Sequence, residues 1–328
     1  MLLDAIFEIL LSPYIQFFIL AVLAGLFRSD LEIPDQVTRA MSMYLMIAIG
    51  MKGGLAIRAS DVPLSEVGAV LITGVALGFL MPMIGYKLLR ASTGLSRLDA
   101  AAISAHYGSI SVVTFSFAVS FLESHGYGYG GYIVTLMALM EAPAIFSGIM
   151  LARESRQIDA AGKQKLFSGE LIRDALLNGS IVLLIGSMFI GMNADMASIE
   201  KIKPFLLDPF FAVLCIFLLE LGLVTARQLP NVGKFPLGLI VFGIYMPLIG
   251  AALGIGASMA LGLGLGEMLL FATLCASASY IAVPAAMKVA LPQANPALYV
   301  TSSLAITFPF NLILGIPIYY WVCTMVVG

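Results

Sequence analysis

Long apolar stretches alternate with short polar ones over the whole chain. A helix needs about 20 consecutive apolar residues to cross a bilayer core. Ten stretches qualify: residues 10–27, 36–57, 64–88, 99–122, 131–152, 172–192, 205–226, 235–262, 267–288 and 296–325. The intervals between them are too short for a separate soluble domain. Strands of a membrane barrel would be about half as long and would alternate in polarity, so the pattern predicts helices. Two of the ten are interrupted. Span four carries Ala105-His106-Tyr107-Gly108-Ser109-Ile110-Ser111-Val112-Val113-Thr114, and span nine carries Ala276-Ser277-Ala278-Ser279-Tyr280-Ile281-Ala282-Val283-Pro284. Non-helical backbone at membrane depth is tolerated only where it is buried in protein or lines a wet cavity. Matching breaks in two halves of a chain therefore point to a transporter's binding site.

The two halves match at a nearly constant offset. Gly54-Leu55 followed by Arg58 recurs as Gly222-Leu223 followed by Arg227, 168 to 169 residues on. Ser111 and Pro143 are separated by 32 residues, as are Ser277 and Pro309, and the pairs lie 166 apart. The expected organisation is a first five-helix repeat (1–152), a charged linker (153–171) and a second five-helix repeat (172–328). Five is odd, so the second repeat enters the membrane upside down. The result is a 5+5 inverted repeat, an architecture found mainly in secondary transporters.

Composition agrees with this organisation. Hydrophobic residues make up 60% of the chain, charged residues 11%, and mean hydropathy is +1.02. A soluble domain is about one-quarter charged. Asp4 and Glu8 stand where a cleavable signal peptide would be basic. A net charge of −2 gives no sign of nucleic-acid binding. The basic residues, however, are unevenly placed. With the N-terminus outside, the inner loops hold 13 of the 17 Lys and Arg, leaving Lys52, Arg58, Lys201 and Lys203 on the other side. The positive-inside rule then puts both termini outside, on the periplasmic face of a plasma (inner) membrane. Cys215, Cys275 and Cys323 lie in apolar spans and read as small buried side chains rather than as disulfide or metal positions.

The breaks carry the candidate chemistry. Gly108 lets span four leave helical geometry. The half-helix that restarts offers free N–H groups and a positive dipole end, suited to an anion. Ser109, Ser111 and Thr114 add hydroxyls, and Ser277, Ser279 and Tyr280 stand at the second break. Pro284 frees a carbonyl upstream, and carbonyl oxygens suit a hard cation such as Na⁺. Glu141, before Pro143, matches Thr307 before Pro309, with Asn311 just beyond; these three form a possible Na⁺ site. Glu220, His106 and His125 are weaker candidates, open to packing roles. No metalloprotease, Gly-x-Ser-x-Gly or P-loop motif is present, so no enzyme and no cofactor are expected beyond Na⁺ as a coupling ion.

The sequence resembles the sodium-dependent bicarbonate transporters of the cyanobacterial type, over nearly its whole length. The resemblance is carried by Gly53-Gly54-Leu55-Ala56-Ile57-Arg58, by Met140-Glu141-Ala142-Pro143-Ala144 and above all by Leu291-Pro292-Gln293-Ala294-Asn295-Pro296-Ala297-Leu298-Tyr299. It implies core and gate domains, with spans four and nine crossing at the substrate. It further implies Na⁺-coupled uptake of bicarbonate by an elevator motion, a homotrimer, and a PII-like regulatory partner on the cytoplasmic face. Carried over residue by residue, the anion site falls on Gly108, Ser109, Ser111, Thr114, Ser277, Ser279 and Tyr280. The chain departs from the family pattern where Val112 and Val113 replace a Gly and a Ser, Tyr280 replaces an Asp, and Val283 replaces a Gly. Another small organic anion as cargo, or a non-transporting membrane sensor on the same fold, are the alternatives these departures leave.

Overall fold

A computed structural model describes residues 2–59, 63–153, 179–280 and 282–327. It is 83% helix, with no strand among the described residues. Helices α1 (Leu2–Leu11) and α2 (Pro13–Leu26) are separated at Ser12, because Pro13 has no N–H to continue the first helix and suits the start of the second. The expected span 10–27 is therefore a shorter helix preceded by another. Helices α3 (Asp35–Arg58) and α4 (Leu64–Ser92) follow. Then come the short α5 (Arg97–His106) and α6 (Val112–Ser124), and the long α7 (Tyr132–Arg153). The linker beyond Arg153 and the start of span six lie outside the described residues.

The second half contains α8 (Gly179–Asn193), α9 (Met196–Leu206), α10 (Phe210–Val232) and α11 (Leu237–Ala260). Short helices α12 (Leu265–Ala276) and α13 (Ala282–Ala290) follow. A final helical run, α14, covers Pro296–Val327. Within α14 the turns widen to π geometry at Ser302–Thr307 and again at Asn311–Gly315. Pro309 sits between them and has no N–H for an intrahelical bond, so wider turns on either side absorb the mismatch. Among the described residues, six helices are long and apolar enough to cross a membrane; α2, α6, α12 and the greater part of α8 are shorter apolar helices.

Packing divides the helices into two groups. One joins α3 to α8 and α2 to α10. The other packs α4 against α7, α5 between them, and α11 against both α12 and the first π segment of α14. Repeat-related glycines do equivalent work in the first group. A Cβ on Gly54 would run into the carbonyl oxygen of Met188 on α8, and a Cβ on Gly222 into that of Phe18 on α2. These pairs of helices approach backbone to backbone, as small residues allow in membranes. Lys52 of α3 reaches the end of α6, where both Glu123 oxygens lie 3.1 Å from its Nζ. The same ammonium sits 4.5 Å from the centre of the Phe210 ring.

Candidate functional site

Both predicted breaks exist, and they are hydrogen-bonded to each other. Helix α5 starts with Ser96, whose Oγ accepts the Asp99 N–H, and ends at His106. The chain then runs non-helically to Ser111, the N-cap of α6, whose Oγ accepts from both the N–H (3.2 Å) and the hydroxyl (2.9 Å) of Thr114. Helix α12 ends at Ala276, and Ser277 leaves it with an extended backbone. Two bonds sew these ends together. Ser111 N–H donates to Ser277 Oγ at 3.2 Å, and Ser279 N–H donates to the His106 carbonyl at 2.9 Å. Ser111 and Ser277 are the residues that the 166-residue offset pairs. Gly108 is required here by space: a Cβ would enter the Pro82 ring and the Gly78 carbonyl of α4.

Supporting polar groups hold the crossing from α14 and α11. The Tyr107 hydroxyl shares hydrogen bonds with Ser302 Oγ and Thr307 Oγ1, each 2.8 Å. Thr307 in turn donates to the Gly243 carbonyl at 2.7 Å. Asn311 Nδ2 donates to the Ala276 carbonyl at 2.9 Å, capping the end of α12, while its Oδ1 accepts the Tyr319 hydroxyl at 2.8 Å. The π turns of α14 thus place these side chains where a regular helix would not. The Asn295 region is a second anchor. Its N–H donates to Asp99 Oδ1 at the base of α5 (2.8 Å), its side chain caps Ala297 N–H (3.0 Å), and Tyr299 stacks on His106 at 4.8 Å.

The seven residues expected at the anion site fall at or beside these joined breaks. Ser109, Ser111, Thr114, Ser277 and Ser279 are buried, and Tyr280 is half-buried with its ring edge-on to Phe308 at 5.3 Å. Not all of their hydrogen-bonding capacity is used. Ser109 Oγ and His106 Nε2 have no partner, and the Tyr280 hydroxyl lies beside Ser111 without closing a hydrogen bond. Neither break contains Lys or Arg, so an anion here would be held by hydroxyls, N–H groups and any cation bound with it.

Of the three expected Na⁺ ligands, Thr307 and Asn311 lie on α14 and Glu141 on α7. Thr307 and Asn311 lie on the π segments and use their oxygens within the protein. Glu141 is buried on α7, whose principal neighbours are α3, α4, α5, α8, α12 and α13. Among the described hydrogen bonds and ion pairs, none involves Glu141. Among the described residues, no group of three or more His, Cys, Asp or Glu is placed to hold a metal ion. His125 sits apart, with Nδ1 2.8 Å from the Phe121 carbonyl and its ring against Tyr320. Glu220 is buried on α10, away from the breaks, with Oε2 unpartnered.

Sequence reasoning missed Tyr107, Ser302 and Tyr319. A tyrosine immediately before Gly108, or polar residues buried in the last helix, had no motif to mark them. The available signal was the run Thr301-Ser302-Ser303 inside an apolar span. Comparison with known proteins adds one match. The family model of the Na⁺-dependent bicarbonate transporter superfamily covers residues 13–324, nearly the whole chain. No curated protein matches it.

Proposed function

The chain belongs to the Na⁺-dependent bicarbonate transporter superfamily, and we propose that it takes up bicarbonate with Na⁺ by an elevator-type, alternating-access motion. The observation that carries this reading is the joining of the two breaks by Ser111 and Ser277 and by Ser279 and His106. It supports an anion site made of Gly108, Ser109, Ser111, Thr114, Ser277, Ser279 and Tyr280, at the centre of ten spans arranged as a 5+5 inverted repeat. The packing supports a division of labour. The group α2, α3, α8 and α10 would be the gate, and the breaks belong to the other group, which would slide as the core. In the same reading, Glu141 is the most available Na⁺ carboxylate, since Thr307 and Asn311 are already bonded within the protein. The termini would lie outside. A homotrimer and a PII-like cytoplasmic partner remain part of the proposal by family likeness.

The test is uptake of labelled bicarbonate into proteoliposomes with and without an inward Na⁺ gradient. Uptake that follows the gradient, and is lost in the Ser111→Ala, Ser279→Ala double variant, is the expected result. Gradient-independent equilibration would refute Na⁺ coupling. Binding without flux would favour a sensor on this fold.

A further inference from the structure

Three buried polar atoms at the joined breaks are not satisfied by the protein: Ser109 Oγ, the Tyr280 hydroxyl and His106 Nε2. They are not equivalent. A hydroxyl can donate or accept, so Ser109 and Tyr280 can turn an O–H toward an anion. The histidine is constrained. Its Nδ1 lies 2.7 Å from the Ala102 carbonyl, one turn back on α5. A carbonyl oxygen only accepts, so Nδ1 carries the hydrogen, and in the neutral ring Nε2 is left as an acceptor. The ring is also fixed, stacked on Tyr299 at 4.8 Å with an interplanar angle of 28°. His106 is 0% exposed, so Nε2 does not face bulk water in this conformation. Its own carbonyl is bonded to Ser279, next to Tyr280, and Ser109 is three residues on.

This set of atoms asks for an unusual ligand. It wants oxygen atoms that accept from Ser109 and Tyr280, and one hydrogen for a nitrogen that cannot donate. Chloride and nitrate supply acceptors only. Bicarbonate has nitrate's planar shape and single charge, and one of its oxygens carries a proton. We infer that His106 is the specificity-determining residue of the anion site, and that it accepts a hydrogen bond from the hydroxyl of a singly protonated oxyanion. An anion without that hydroxyl leaves Nε2 buried and unpaired. A site built to bond a substrate hydroxyl rejects analogues that lack it, because its own polar group is then stranded. The inference rests on the proposed anion site and adds the reason it would prefer bicarbonate.

The experiment compares bicarbonate with nitrate, each titrated in Na⁺ against purified protein, by calorimetry or thermal shift. Wild-type protein should bind bicarbonate about 10–100-fold more tightly than nitrate, the range set by one stranded buried group. His106→Phe keeps a ring on Tyr299 and removes the acceptor; it should lower bicarbonate affinity by about the same factor and leave nitrate unchanged. His106→Gln returns an acceptor oxygen near the position of Nε2 and should restore part of the preference. Equal weakening of both anions in His106→Phe would make the histidine merely structural and overturn the inference. So would equal affinity for the two anions in the wild type, a result that needs no variant to fold. If wild-type protein binds neither anion in Na⁺, the proposed site itself is wrong, which is a separate outcome from lost discrimination.

Discussion

Replacing Asn311 by Leu separates a structural strut from an ion ligand. Asn311 makes two buried bonds: Nδ2 to the Ala276 carbonyl at 2.9 Å, and Oδ1 from the Tyr319 hydroxyl at 2.8 Å. Both partners are buried. Leucine fills the space and strands a carbonyl and a hydroxyl at once. At about 1–3 kcal/mol for each stranded group, the loss should be about 2–5 kcal/mol. Tyr319→Phe alone breaks one bond and leaves Oδ1 short of one partner, which costs about 1 kcal/mol. In the double variant, the hydroxyl that leucine would strand is gone. The two losses should therefore fall short of their sum by about 1–2 kcal/mol. Thermal unfolding in detergent, repeated over a Na⁺ titration, reads both stability and Na⁺ affinity. The strut predicts coupled stability losses, with the Na⁺ midpoint of Tyr319→Phe where it is in the wild type. Additive losses would mean that the Asn311–Tyr319 bond contributes nothing. A Na⁺ midpoint shifted about tenfold in Asn311→Leu without a stability loss would make Asn311 a ligand after all.

Gly54→Ala and Gly222→Ala should each destabilise by about 1–3 kcal/mol through overpacking against a carbonyl, whereas Gly186→Ala, which meets only open space, should stay within about 0.5 kcal/mol; thermal unfolding compares the three. Ser277→Ala strands the Ser111 N–H and should cost about 1–3 kcal/mol of stability, while Ser109→Ala, whose hydroxyl has no protein partner, should leave the melting temperature alone and weaken anion binding. Neutralising Lys52 or Glu123 should cost about 1 kcal/mol or less, as for other partly exposed pairs. Because the pair ties α3 to α6, the helix that restarts after the first break, it should nonetheless change the uptake rate, and Lys52→Glu with Glu123→Lys should recover the wild-type rate.

The breaks were legible because polar and small residues are costly inside an apolar run, so their presence is informative by itself. The repeat offset was legible for the same reason: Gly54 and Gly222 recur because two backbones must touch at each place. What remained hidden were partners distant in sequence. Tyr107 meets Ser302 and Thr307 across about 200 residues, and neither periodicity nor spacing encodes that meeting. The span starting at residue 10 was misplaced by a local cause, since Pro13 is apolar by composition but divides two helices by its missing N–H.

The two breaks differ in how their hydrogen bonds are used. At the second break, the protein supplies the partners: Asn311 caps the Ala276 carbonyl, Ser277 Oγ takes the Ser111 N–H and donates to Leu274, and Ser279 N–H goes to His106. At the first break, Ser109 Oγ and His106 Nε2 are left over, and at the second the Tyr280 hydroxyl. Buried polar groups cost free energy unless paired, so these three leftover groups are the costly part of the joined breaks. Of the departures from the family pattern, Val283 at the second break packs in a buried apolar cluster. Val112 and Val113 occupy the first turn of α6, where backbone N–H groups rather than side chains face an anion. Apolar side chains there leave those donors in place and exclude competing water, so the loss of a Gly and a Ser need not remove the means of holding a small anion.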